Sequence, residues 1–174
     1  MSASEITKKA LVDAFNDVLQ TTPFDKITVG DISARATVNR QTFYYHFADK
    51  FDLTDTIICN ELVFPLAHTL DKGEFYQAFE QMFTYLQDNR SFYLKILKSK
   101  AADSITTYTK QIFGNIIVLV SNGQIKKTDI AADFYANGLS GTVVDWCLNP
   151  RGLSATDMAK LAWQYTTQFS KTSP

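Results

Sequence analysis

Residues 39–46 read Asn-Arg-Gln-Thr-Phe-Tyr-Tyr-His, an odd set of side chains for a short helix that needs only to stay soluble. At about 100° per residue, Phe43 and Phe47 fall on one side, and Gln41 and Tyr45 stand opposite, flanked by Thr42 and Tyr44. Arg40 occupies the first turn. Arginine can fork onto a guanine edge, glutamine can pair with adenine, and a threonine methyl can meet that of thymine. Phenol hydroxyls and an imidazole can hold phosphate oxygens. Lys50, opening the following helix, places a cation where free N–H groups already favour an anion, and Thr28 starts an earlier helix in the same way. The chemistry this set could perform is recognition of double-stranded DNA. Base contacts are expected from Arg40, Gln41 and Thr42, and phosphate contacts from Thr28, Tyr44, Tyr45, His46 and Lys50. Phe43 and Phe47 are expected in the core.

The elements that must position these groups are helical throughout. Seven glycines and four prolines fall between stretches of helical period, and alternating runs of strand type are scarce. The expected fold is all-α, with about nine helices near 4–21, 28–35, 39–46, 49–64, 73–88, 91–99, 103–121, 128–148 and 154–170. Ser2 and Glu5, Thr28 and Asp31, and Ser154 and Asp157 have capping-box spacing. Ile27 and Ile32 stand at the positions of a hydrophobic staple. Asn39 is a good N-cap for the third helix, and Pro65 is expected to stop the fourth. Three short helices, the second and third separated by a tight turn, outline a helix-turn-helix. The expected division is a DNA-binding domain over 1–48 and a helical effector-binding and dimerisation domain over 49–174.

Composition sets bounds without choosing a partner. The 174 residues are 45% hydrophobic, 13% aromatic and 20% charged, enough apolar side chain to exclude disorder as the main state. The longest aliphatic run, Ile116–Val120, is far short of the roughly 18 residues of a membrane span. The start of the chain has no basic stretch followed by an apolar one, so a cytoplasmic location and no membrane partner are expected. Cys59 and Cys147 lie far apart without a CxxC pair, which argues against a disulfide framework or a thiolate zinc site. Net charge is −1, and residues 1–55 hold six Lys and Arg against eight Asp and Glu. A binding patch is local whereas net charge is a sum, so this neither favours nor excludes nucleic acid. There is no Gly-rich phosphate loop, HExxH or GxSxG, and only two histidines. No catalytic residue, metal or cofactor is expected.

The stretch from Ile27 to Leu53, and above all Thr42-Phe-Tyr-Tyr-His-Phe47 with Lys50 three residues on, resembles the amino-terminal domain of the TetR family of bacterial transcription regulators. The resemblance covers about residues 4–55. It implies a homodimer that sets two third helices in successive major grooves of a palindromic operator, with the base and phosphate contacts already named. Many family members carry a small residue where Gln41 stands, which bears on base preference and not on fold. The Arg-Gln-Thr-Phe-Tyr form is similar to the subgroup containing the dihydroxyacetone operon activator. Repression is the first expectation and activation through a protein partner the alternative. An all-α protein–protein adaptor that binds no DNA is the rival from another class.

The family analogy also implies an effector pocket in the second domain, for an unknown small molecule or protein co-regulator. Candidate lining residues are Phe83, Tyr85, Tyr93, Tyr108, Phe113 and Trp146. Small residues along the eighth helix and an apolar stripe on the ninth suggest a two-fold four-helix dimer seam. Its expected members are Ala136, Gly138, Gly141, Met158, Leu161, Tyr165 and Phe169.

Overall fold

A computed structural model describes residues 2–121 and 123–167. These residues are all-α, with no strand among them. The amino-terminal head consists of α1 (Ala3–Thr21), α2 (Val29–Arg35) and α3 (Arg40–His46), with a 3-10 turn at Phe24–Lys26 between the first two. The body begins with α4, a continuous rod made of Lys50–Ile58, a π turn at Cys59–Val63 and Phe64–Asp71. There follow α5 (Phe75–Asp88), α6 (Arg90–Leu97), α7 (Ala102–Val120), α8 (Ile130–Leu148) and α9 (Ala155–Thr167). Counted this way the described residues form nine helices.

Local signals explain where the helices start. Glu5 N–H donates to Ser2 Oγ, while Ser2 N–H donates to the Glu5 carboxylate. The same reciprocal box joins Ser154 and Asp157 at the start of α9. Each satisfies N–H groups that the first turn leaves without an intrahelical partner.

Pro65 does not stop the fourth helix. In a regular α-turn its ring would strike the carbonyl four residues back and its missing N–H would break the ladder. Here the preceding turn is widened, and Phe64 N–H donates to Cys59 O, five residues back. The wider turn gives the ring room, and the helix resumes with proline in its first turn.

Packing joins head and body through one contiguous cluster of buried side chains. In the head, Phe15 meets Phe24 edge-on at 6.2 Å, and Phe24 meets Phe51 of α4 at 5.2 Å. In the body α7 runs along α8, and α9 packs on α5. Gly114 of α7 faces Ala136 of α8, where a Cβ would make an ordinary 3.8 Å contact. The buried hydroxyls of Thr109 and Ser140 meet across the same seam at 2.6 Å. Ala136 is thus 6% exposed and turned toward α7, so the expectation that it lies on a dimer surface is corrected. No described helix is long and apolar enough to cross a membrane.

Candidate nucleic-acid interface

The third helix is seven residues long and could not persist alone, since isolated helices shorter than about 12 residues are marginal in water. Two features hold it. Asn39 Oδ1 accepts Thr42 N–H at 2.8 Å and the Thr42 hydroxyl at 3.0 Å. On the inner side Phe43 and Phe47 are buried, their rings 5.7 Å apart. Removing a buried phenyl typically costs about 3–5 kcal/mol, so these two rings fix which face α3 turns inward.

The opposite face is open. Arg40, Gln41, Tyr44 and Tyr45 are exposed, Tyr45 to 81%. Tyr44 leans edge-on against Phe43 at 5.7 Å, and Tyr45 against His46 at 4.9 Å, so the phenols are braced by their neighbours while their hydroxyl ends stay outside. Thr42 and His46 are half-buried at the margins. The hydroxyl of Thr42 is used on the cap, which leaves its methyl as the group for outside contact.

Thr28 caps α2. Asp31 N–H donates to Thr28 Oγ1 at 3.2 Å, and Asp31 Oδ2 accepts Thr28 N–H at 2.8 Å and its hydroxyl at 2.7 Å. These hydrogen bonds hold the Asp31 carboxyl below its ordinary range, with a smaller contribution from the Arg40 charge. Ile27 and Ile32 are both buried, as a staple requires. Between α2 and α3 the chain turns at Thr37, whose φ of 58° is left-handed and unusual for a β-branched residue. Val38 N–H closes that turn onto Ser33 O at 3.0 Å.

Lys50 departs from its expected role. Its ammonium points inward and donates to Phe24 O and Ile27 O, both at 2.8 Å, and to Asp25 O at 3.3 Å. It also lies 4.7 Å from the centre of the Phe24 ring. Three protons meet three carbonyl oxygens, so none is left for a phosphate in this arrangement. Burial is the main cause of a lowered Lys50 pKa. In this arrangement Lys50 acts as a bolt holding the connection between α1 and α2. The cap of α4 is Asp49, which accepts the N–H groups of Phe51 and Asp52 at 2.8 and 3.0 Å.

Gly30 is a residue the sequence reading passed over. A Cβ there would lie 2.5 Å from Arg40 Nη2 and 3.1 Å from its Cζ and Nε, so the guanidinium rests over the bare Cα. A glycine inside a short helix was the signal available.

The six aromatic residues expected around an effector do not share one chamber. Phe83 and Phe113 line a cavity of about 370 Å³ between α8 and α9, and Trp146 packs on Phe83 at 5.5 Å with its Nε1–H on Leu153 O. Tyr85 and Tyr93 meet edge-on at 6.0 Å elsewhere, and the Tyr85 hydroxyl donates to Glu61 in the π turn of α4. Burial raises the pKa of both phenols. Tyr108 sits with Cys59, whose hydrogen bond is the first cause of its raised pKa. Of the six, Phe83 and Phe113 alone line the α8–α9 cavity. The six stand on four different helices, α5 to α8.

The α8–α9 cavity is open, and its rim carries Phe134, Gly138 and Tyr165, with Gly141 and Ile130 exposed on the same helix as Gly138. Phe134 is 72% exposed. Met158 forms part of the buried floor and Leu161 is half-buried beside it. Phe169 lies outside the described residues.

A tri-helical head that presents α3 outward above a helical body defines a helix-turn-helix regulator. Two family descriptions match in agreement with this: "Bacterial regulatory proteins, tetR family" over residues 11–57 and "Transcriptional regulator C-terminal region" over 73–168. The chain belongs to the TetR family. Among curated relatives it is 32% identical over 96 residues to the HTH-type dhaKLM operon transcriptional activator DhaS of Lactococcus lactis subsp. lactis (strain IL1403), covering 55% of this chain and 51% of that protein. It is 37% identical over 73 residues to the uncharacterized HTH-type transcriptional regulator YxbF of Bacillus subtilis (strain 168), covering 40% of this chain and 19% of that protein. The matches thus span about half and about a fifth of those relatives. The solved structure of a dihydroxyacetone kinase operon activator DhaS superposes with a TM-score of 0.72 at 23% identity, covering 95% of this chain and 97% of that one.

Proposed function

We propose that this chain is a homodimeric, sequence-specific DNA-binding regulator of transcription, working in the cytoplasm without catalysis. The observation that carries the reading is the two-sidedness of α3. Two buried rings anchor it, and Arg40, Gln41, Tyr44 and Tyr45 stand outward on a rod narrow enough for a major groove. Arg40, Gln41 and the Thr42 methyl are the proposed base readers. Tyr44, Tyr45, His46 and the Thr28 end of α2 are the proposed phosphate contacts. The open apolar face of α8 and α9, with Phe134, Gly138, Gly141, Leu161 and Tyr165, is the proposed two-fold seam, since a reader of two half-sites needs paired heads.

Selection from a randomised duplex library tests this directly. The expected product is a palindrome, bound less tightly as salt rises. Arg40→Ala is expected to relax one base position at a cost of about 1–3 kcal/mol. Failure of the library to enrich any sequence would refute the reading and favour an adaptor without DNA binding.

A second reading concerns the signal. Of the six aromatic residues only Phe83 and Phe113 line the α8–α9 cavity, which favours control by a protein partner over a metabolite enclosed by all six. Operator binding with and without a partner captured from lysate, set beside melting shifts in a metabolite panel, separates the two.

A further inference from the structure

The head is joined covalently to the body only through residues 47–49, between α3 and α4. One point of attachment lets a rigid body swivel, whereas two fix its direction. A second point exists where α6 meets the end of α1. Lys95 of α6 reaches back to the last turn of α1, and its ammonium donates to Leu19 O at 2.8 Å and Gln20 O at 2.9 Å, with Gln20 Oε1 at 3.5 Å. Carbonyls in the last turn of a helix have no intrahelical partner, and a cation is favoured there. Nearby, the Lys100 backbone N–H donates to Asp25 Oδ1 at 3.1 Å. Lys50, the first residue of α4, holds the same connection, residues 24–27, beside the covalent joint.

The junction is incompletely filled, and apolar side chains such as Leu19, Phe24 and Leu94 line it together with polar ones. A cleft of about 490 Å³ lies between the connection after α1 and α6, with Thr22, Pro23, Ser91, Lys95 and Lys98 among its walls. Apolar packing therefore does not fill this side of the joint, where the hydrogen bonds of Lys95 and of the Lys100 backbone tie head to body. We propose that Lys95 is a positioning residue that sets which half-site spacing the dimer accepts. The proposal rests on the operator-binding reading above. In B-DNA each added base pair carries the second half-site about 3.4 Å along and about 35° around the axis. Stiffly held heads reject that change, and swivelling heads follow it.

The test uses full-length wild type, Lys95→Met, Lys95→Arg and Asp25→Ala. Each is selected on a library of paired half-sites, and its Kd is then measured with the spacer at the selected length and one base pair longer or shorter. Wild type is expected to lose about tenfold or more per base pair of misfit, the scale of a mismatched position. Lys95→Met should lose about threefold or less while selecting the same half-site bases, and Lys95→Arg, which keeps a charged donor, should stay near wild type. Asp25→Ala removes the second tether without touching α1 and should flatten the profile in the same direction. It serves as the independent readout if Lys95→Met does not melt cooperatively. Wild-type spacing selectivity in both Lys95→Met and Asp25→Ala would overturn the proposal, as would altered half-site bases in Lys95→Met. Failure of the wild type to select paired half-sites would instead sink the operator-binding reading beneath it.

Discussion

Replacing Lys50 by methionine distinguishes a structural bolt from a phosphate contact, because the two roles move different observables. Methionine keeps most of the apolar stem and removes the ammonium. Two hydrogen bonds at 2.8 Å to partly buried carbonyls are lost, and the third, at 3.3 Å, counts for little. Hydrogen bonds to a charged group contribute about 1.5–3 kcal/mol each, and the contact over Phe24 adds roughly 0.5–1 kcal/mol. The burial that lowers the Lys50 pKa is relieved by the substitution and offsets part of this loss. The net destabilisation is expected to be about 2–4 kcal/mol, or roughly 5–15 °C in Tm for a chain of this size. Thermal melting followed by circular dichroism measures it. The second observable is the slope of log K against log salt for the selected operator, which each lost phosphate contact would make shallower by about 0.9. For Lys50→Met the slope is expected to stay put while the melting temperature falls. An unchanged melting temperature with a slope shallower by about 1.8, one contact from each head, would refute the inward assignment.

Gly30→Ala is expected to leave melting unchanged or slightly raised while displacing the Arg40 guanidinium, which altered base frequencies at one symmetric pair of operator positions would reveal. Thr37→Gly relieves a left-handed β-branched residue and is expected to stabilise the chain by about 1 kcal/mol, measured by urea denaturation, without altering the selected sequence. Gly138→Arg projects into open space on a single chain and should preserve its fold, yet sedimentation should show monomers and operator affinity should fall, because the charge lands in the proposed seam. In residues 1–55, Lys9 and Arg35 are paired with Asp13 and Asp17 and Lys50 is turned inward, leaving at most Lys8, Lys26 and Arg40 per head. The salt slope of the dimer should therefore be no steeper than about −5, and a much steeper one would mean that cations of the body also reach the duplex.

What the sequence made legible was local. Capping boxes at Ser2, Thr28 and Ser154, the Asn39 cap and the Ile27–Ile32 staple depend on groups three to five residues apart, and spacing encodes them. The inward side of α3 followed from the helical period of Phe43 and Phe47. What escaped involved distant backbone. Lys50 and Lys95 find carbonyl oxygens 23 to 76 residues away, and a carbonyl carries no signature of its residue type. Lys50 consequently read as a surface cation, and Lys95 gave no signal at all. Pro65 misled because its usual effect presupposes a regular turn before it, whereas the π turn is set among residues packed from α5 and α7, including Tyr85 and Tyr108. The aromatic residues of the body were read as one group because periodicity gives a face and not the neighbour that face meets.

A head whose Lys and Arg only balance its Asp and Glu can still read DNA. A strongly basic head gains affinity on any duplex through counterion release, and specificity must then be won against that background. Here lysines spend their charge on carbonyl oxygens inside the fold, and the outward face offers phenols, an amide and one guanidinium. On the proposed reading such a face is expected to bind any single half-site weakly. Tight binding then requires both heads at once, where the second contact benefits from the effective concentration set by the first, an advantage that vanishes when geometry forbids simultaneous engagement. The less charge a reader carries, the more its affinity depends on the direction in which its heads are held. That is the physical reason a half-buried lysine bond at the end of α1 can matter to recognition while standing apart from α3.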